Sequence, residues 1–411
     1  MKIQSIASIA SIHLLVACSH PLEIEGEGDI ISASGSRDCL LEDYLAGADQ
    51  CAENIVTGAY QETYMPQARS GWRFDHWENY CANSPPPEFA CSFDFDAETV
   101  AQAYGETAPA LRAVFAPTEP PFTVDARDTD PAISAGAHHI VFPPQTSHNG
   151  KLFVFFPGTG ATPEFYQTLS QRAAAHGYAG INLSYVNDIA VNFICAFSGP
   201  GSDDPNCHEK VRTEILTGSD ASPFVAVSPA DSIENRLLAL LQYLRDADDS
   251  VDWSRYLAGA NIDWSQIAVG GHSQGGGHAA FVGKRYSVDR ALLFSSTEPA
   301  DWTEEPGVTP VDRYFGFAHE LEQLQRGIRN SWENLGIQGP EENIDEGLPS
   351  NGSQRFLTAR LLCSGSDSDS AYHQCTSSDV FTPRDETGEP TFGPVWDFML
   401  TGTVAATPDV D

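Results

Sequence analysis

The chain has 411 residues, more than a single hydrophobic core usually serves, so a large domain accompanied by a smaller one is expected. Apolar residues make up 41% of it, which excludes general disorder, and 57 acidic against 22 basic side chains leave a formal charge of −35. A surface of that sign repels phosphate backbones, so nucleic acid is excluded as a partner and solubility in salt is favoured.

Residues 1–17 carry Lys2, a short serine-interrupted apolar run and Leu15-Val16-Ala17 ahead of Cys18. The run is too short to span a bilayer and reads as a cleaved export signal. Its end resembles the lipobox of bacterial lipoproteins. That resemblance implies acylation of Cys18 as the mature N-terminus. With Ser19 following, it points to the outer membrane or cell surface of a Gram-negative bacterium; the alternative is an ordinary secretory signal with a chance cysteine. Setting Cys18 aside leaves eight of the 9 cysteines, in local pairs: Cys39 with Cys51, Cys81 with Cys91, Cys195 with Cys207 and Cys363 with Cys375. Short loops in an exported chain suggest disulfides, although spacing does not fix their connectivity. No CxxC occurs, which speaks against zinc.

Residues 18–36, acidic and rich in glycine and serine, read as a flexible tether. Residues 37–117 form a small β-rich unit in which aromatic and polar residues alternate in strand fashion. Gly71, Trp72, Phe74, Trp77, Cys81 and Cys91 give it a pattern that resembles the small repeat modules of internalin B type, which implies a spacer or adhesive unit. Residues 118–137, proline-rich and acidic, read as a linker.

From His138 to the C-terminus the texture changes. Short continuous apolar runs, "KLFVFFP", "YAGINLSY", "IAVGG", "RALLFSS" and "DRYFGFA", suit strands buried on both faces of a parallel sheet. Helical stretches lie between them; in one, Ile233, Leu237, Leu240, Leu241 and Leu244 fall on a single face. Alternating strands and helices predict an α/β, doubly wound, mostly parallel sheet over 138–411. Residues 187–229, with Phe193, Phe197, Phe224 and the pair Cys195 and Cys207, read as a stapled lid rather than a long helix.

The motif Gly271-His272-Ser273-Gln274-Gly275 stands between the strand "QIAVG" and a helical stretch beginning "GGGHAAF". A sharp strand-to-helix turn would hold the serine outside the carboxyl end of the sheet, with Gly271 and Gly275 relieving the crowding. At these residues the chain resembles the α/β-hydrolase superfamily of serine hydrolases, esterase- or lipase-like, over about 138–411. The resemblance implies a nucleophilic Ser273 followed by an acid and then a histidine.

Of the later histidines, His278 lies within the elbow helix and reads as packing, and His319 ends a strand where the acid belongs. His373, in a serine-rich loop beside Cys375, is the candidate base. Superfamily spacing past the "YFGFA" strand favours Glu322 as the acid, with Glu320 the alternative and Asp301 a runner-up one strand earlier. The oxyanion hole implied by the resemblance takes one backbone N–H from Gln274 and another from Thr159 or Gly160 in the Pro157-Gly158-Thr159-Gly160 loop. The expected function is an exported serine hydrolase that cleaves small-molecule or polymeric carboxylic esters through an acyl-enzyme, with no metal or organic cofactor implied. A serine peptidase or acyltransferase on the same residues is the chemical alternative. A noncatalytic surface binding or adhesion protein on a hydrolase scaffold is the alternative of a different class.

Overall fold

The computed structural model describes residues 18–402, apart from 57, 70, 85–88, 97–98, 100–108, 135–137, 197, 348–351 and 361. The segment read as an export signal therefore lies outside the described residues, and at Cys18 only the backbone is described. The chain divides into two compact units, Met1–Pro117 and Thr118–Asp411.

The first unit carries two three-stranded sheets. One has the order Leu22–Glu25, Leu111–Pro117, Trp72–Glu78; the other has the order Gly28–Ser32, Tyr60–Ala68, Cys91–Phe95. The stretch read as a tether thus contributes a strand to each sheet, which corrects that reading. Its acidic composition hides a period of two: Leu22, Ile24 and Ile30 are buried, while Glu23 turns outward to pair with Arg112 at 2.7 Å. Phe74 and Trp77 fill the core of this unit, and the Trp77 indole donates to the carbonyl of Phe89 at 2.7 Å. Disulfides Cys39–Cys51 and Cys81–Cys91 close two of its loops.

The second unit is built on a nine-stranded sheet. Across it the strands run Glu341–Asn343, Arg355–Thr358, Tyr314–His319, Arg290–Phe294, Ile267–His272, Leu152–Phe156, Ala179–Asn182, His138–Phe142 and Phe122–Asp125. All neighbours pair in parallel except His138–Phe142, which is antiparallel to both of its partners. The edge strand Phe122–Asp125 falls in the segment read as linker. That reading is corrected as well: the prolines sit just before the strand, where they take no ladder hydrogen bond from its interior.

Strand alternation divides the core. Leu152, Val154 and Phe156 enter one apolar cluster, Phe153 and Phe155 the other, and every residue of this strand is buried. Helices Cys207–Thr217, Ile233–Ala247, Gln274–Arg285 and Gln325–Asn334 supply the first cluster; Gln167–Ala175 and Gly393–Thr401 supply the second. Ile233–Ala247 shows why such segments are helical. Ser232 caps it by accepting from the N–H of Asn235 at 3.2 Å, and its apolar stripe at helical spacing is wholly buried. The result is an α/β protein with a mostly parallel central sheet and small N-terminal β-sheets.

Two further disulfides, Cys195–Cys207 and Cys363–Cys375, lie in this unit. Four disulfides in one chain point to an oxidising or extracellular location. Among the described residues no helix is long and apolar enough to cross a membrane. The segment read as a stapled lid holds two helices of ordinary or short length. Cys195–Cys207 joins the short helix Val191–Cys195 to Cys207–Thr217, which runs for 11 residues. The glycines and prolines that argued against a long helix are confined to its flanks.

Candidate active site

Ser273 stands between the strand Ile267–His272 and the helix Gln274–Arg285, with φ 53° and ψ −116°. A non-glycine residue held there is strained by about 1–3 kcal/mol, so the surroundings must fix it. Its N–H donates to the carbonyl of Phe294 on the adjacent strand at 2.8 Å. The turn is tight enough to exclude side chains on either side of it. A Cβ at Gly275 would lie 2.0 Å from the carbonyl oxygen of Phe156, and one at Gly271 would lie 2.3 Å from the backbone of Gly275.

Three loops meet at this turn. His373, on the short helix Asp369–Gln374, has its Nε2 2.9 Å from Ser273 Oγ. Its Nδ1 lies 2.6 Å from Glu322 Oε2. A carboxylate can only accept, so Nδ1 carries the proton and Nε2 is left as the acceptor for the serine hydroxyl. The Glu322 side chain is fully buried, whereas that of His373 remains 23% exposed. The second oxygen of Glu322 accepts from Ser295 Oγ at 2.9 Å and from the N–H of His319 at 3.2 Å. Buried charge is tolerated here because every direction of it is met by a donor.

The other acid candidates lie elsewhere. The N–H of Glu320 donates to the carbonyl of Thr358 and its side chain makes no contact with His373. Asp301 is exposed in a turn after the neighbouring strand. Glu320 and Glu322 could not be separated in sequence because the chain turns immediately after His319. That turn is held by the His319 ring, which donates from Nε2 to the carbonyl of Arg360 at 2.6 Å and accepts at Nδ1 from Leu321 at 3.0 Å. The ring of His319 also stacks on Tyr372 at 4.3 Å between centroids. Cys363 and Cys375 lie close to it, but with both sulfurs in a disulfide and both ring nitrogens bonded, this cluster offers no ligand set for a metal. His278 is fully buried against Tyr185, and burial pushes its pKa well below the usual histidine range.

Thr159, Ser273 and Gln274 line one cavity. The N–H of Gln274 opens the elbow helix, and the Thr159 hydroxyl donates to the Gln274 side-chain oxygen at 2.9 Å, tying the Pro157–Gly160 loop to it. Gly160 is corrected as a donor: its N–H is taken by the carbonyl of Asn187 at 2.9 Å. Among the described residues, no acceptor lies within reach of the N–H groups of Thr159 and Gln274. The Asn187 side chain clamps the same loop from its other side, donating to the carbonyls of Gly158 at 2.6 Å and Ala161 at 2.9 Å.

Asn187 and Ser295 carry no local sequence signal. His272 does lie inside the motif, yet its connections are long-range. Its Nε2 donates to the carbonyl of His373 at 2.8 Å, and its Nδ1 accepts from the Tyr166 hydroxyl at 3.0 Å. The Tyr166 oxygen in turn accepts from the N–H of Gly158 at 3.2 Å. Burial lowers the pKa of His272 to about 3, so its ring stays neutral.

This constellation holds a hydroxyl against an imidazole and the imidazole against a buried carboxylate, at a cavity that Thr159 and Gln274 also line. Chemically it can activate an alcohol and stabilise a developing oxyanion. No family model matches the chain, and no curated protein matches its sequence.

Proposed function

We propose that the chain is an exported serine hydrolase of the α/β-hydrolase type that cleaves carboxylic esters. The observation that carries this reading is the hydrogen-bonded series Ser273 Oγ, His373 Nε2, His373 Nδ1, Glu322 Oε2, at 2.9 and 2.6 Å. Its order along the chain, serine, acid, histidine, and its place at a strand-to-helix elbow are those of the superfamily. Ser273 Oγ attacks the ester carbonyl carbon while its proton passes to His373 Nε2. Collapse of the tetrahedral intermediate expels the alcohol oxygen, which takes that proton. Water, deprotonated by the same nitrogen, then attacks the acyl-enzyme and releases the acid. Glu322 holds the imidazole in the required tautomer and stabilises its charged form, and Gln274 with Thr159 receives the oxyanion.

The four disulfides support an exported setting, and acylation of Cys18 would retain the protein at a membrane surface, with the N-terminal unit as the spacer. The test is labelling with a fluorophosphonate and hydrolysis of a 4-nitrophenyl ester by the mature chain and by Ser273→Ala. Both activities are expected in the former and neither in the latter; undiminished labelling of the variant overturns the nucleophile.

A further inference from the structure

We propose that the cavity beside Ser273 is the acyl subsite, and that it takes a short acyl group bearing an uncharged hydrogen-bond acceptor, such as a hydroxy- or alkoxyacyl ester. This rests on the hydrolase reading above. The cavity has a volume of about 30 Å³ and opens onto Ser273, Thr159 and Gln274, the nucleophile and the two oxyanion donors. His373 does not line it. The leaving oxygen must sit against His373 Nε2 to be protonated. The part of the ester that enters a cavity His373 does not line is therefore the acyl side.

Size sets the first limit. A volume of this order admits about two waters and so two or three heavy atoms, not an alkyl chain. Chemistry sets the second. One wall is the ion pair of Arg212 and Glu298, whose side chains are 1% and 2% exposed. Arg212 Nε donates to Glu298 Oε2 at 2.8 Å, Nη2 to Oε1, and Nη1 to the carbonyl of Gln274 at 3.3 Å. A guanidinium has five N–H groups, so two are left without an acceptor among the described residues. Asn192 lines the same cavity. Methylene groups placed there would displace water from buried donors and return nothing, which costs binding. Because Glu298 already neutralises Arg212, a carboxylate-bearing acyl group gains little, and a neutral oxygen fits the remaining donors.

The test uses 4-nitrophenyl acetate, octanoate, butanoate and methoxyacetate on the mature full-length protein. The last two are near-isosteric and differ by an ether oxygen. With kcat/KM divided by each ester's rate of hydroxide attack, octanoate is expected roughly 100-fold below acetate, and methoxyacetate about 10-fold above butanoate. Leu324→Ala, which opens the cavity at its exposed rim, should raise octanoate relative to acetate. Octanoate within tenfold of acetate, or methoxyacetate no faster than butanoate, overturns the proposal while leaving the hydrolase reading intact. Absence of both turnover of every ester and a fluorophosphonate adduct overturns the hydrolase reading itself.

Discussion

The carbonyl oxygen of His373 accepts a 2.8 Å hydrogen bond from Nε2 of His272, the residue immediately before Ser273. The backbone of the candidate base is thus held by the strand that carries the candidate nucleophile. Through Tyr166 the same ring reaches the N–H of Gly158, at the start of the loop that supplies one oxyanion donor. Tyr166→Phe keeps the aromatic packing but strands two buried partners, at a cost of about 1–3 kcal/mol. Steady-state kinetics should give a kcat about tenfold lower with KM little changed, alongside a lower melting temperature. Unchanged kcat would separate this network from catalysis.

Glu322 and Glu320 are two residues apart, yet only Glu322 touches His373. Glu322→Gln removes the acceptor that fixes the tautomer and should cost roughly 10³–10⁴ in kcat, as loss of a triad acid does elsewhere. Glu320→Gln should stay within about twofold, since surface substitutions remote from a site change little. Parallel assays of the two variants check this, and an equal loss in both would place the acid elsewhere.

Several histidines are buried in neutral form, His139, His272 and His278 among them. Burial lowers His272 to a pKa of about 3, and burial with the nearby Arg236 charge lowers His139 to about 3. In the unfolded chain each returns to about 6.5. As pH falls below that value the unfolded state takes up protons that the folded state refuses, so their contribution is complete above about pH 6.5 and is lost on descent towards 3. Urea midpoints should therefore fall between pH 7 and pH 4.5. His139→Asn, which removes one of these groups, should flatten that dependence; a steeper slope would contradict the assignment.

The disulfide Cys363–Cys375 closes a loop of 12 residues that holds His373. Replacing both cysteines with serine should cost about 2–4 kcal/mol of stability. It should also slow fluorophosphonate labelling of Ser273 at temperatures where calorimetry shows the variant still folded. Wild-type labelling there would mean that hydrogen bonds such as His272 to the His373 carbonyl and Ser295 to Thr376 hold the loop without the disulfide.

What the sequence disclosed follows from how local each signal is. Apolar runs marked the buried strands, and helical spacing marked Ile233–Ala247, because burial on both faces or on one stripe writes a periodicity into adjacent residues. The strand-to-helix context of Ser273 was legible for the same reason. Glu322 was reached only as one of a pair, since which carboxylate swings inward depends on His319 bonding to Arg360, 41 residues away. Arg212 and Glu298, separated by 86 residues, carried no signal at all. The acidic stretch before Ser36 misled because composition was weighed over alternation.

The placement of Leu22–Glu25 and Gly28–Ser32 bears on how the protein is produced. Leu22 lies opposite Leu111 and Ser32 opposite Tyr64, each strand closing one side of its sheet. A recombinant form begun at Arg37, the natural cut if the preceding residues were a leash, would uncover the ladders of Leu111–Pro117 and Tyr60–Ala68. Bare strand edges of that kind recruit one another, and the preparation would be lost to aggregation. Expression should begin at Ser19, which keeps both strands.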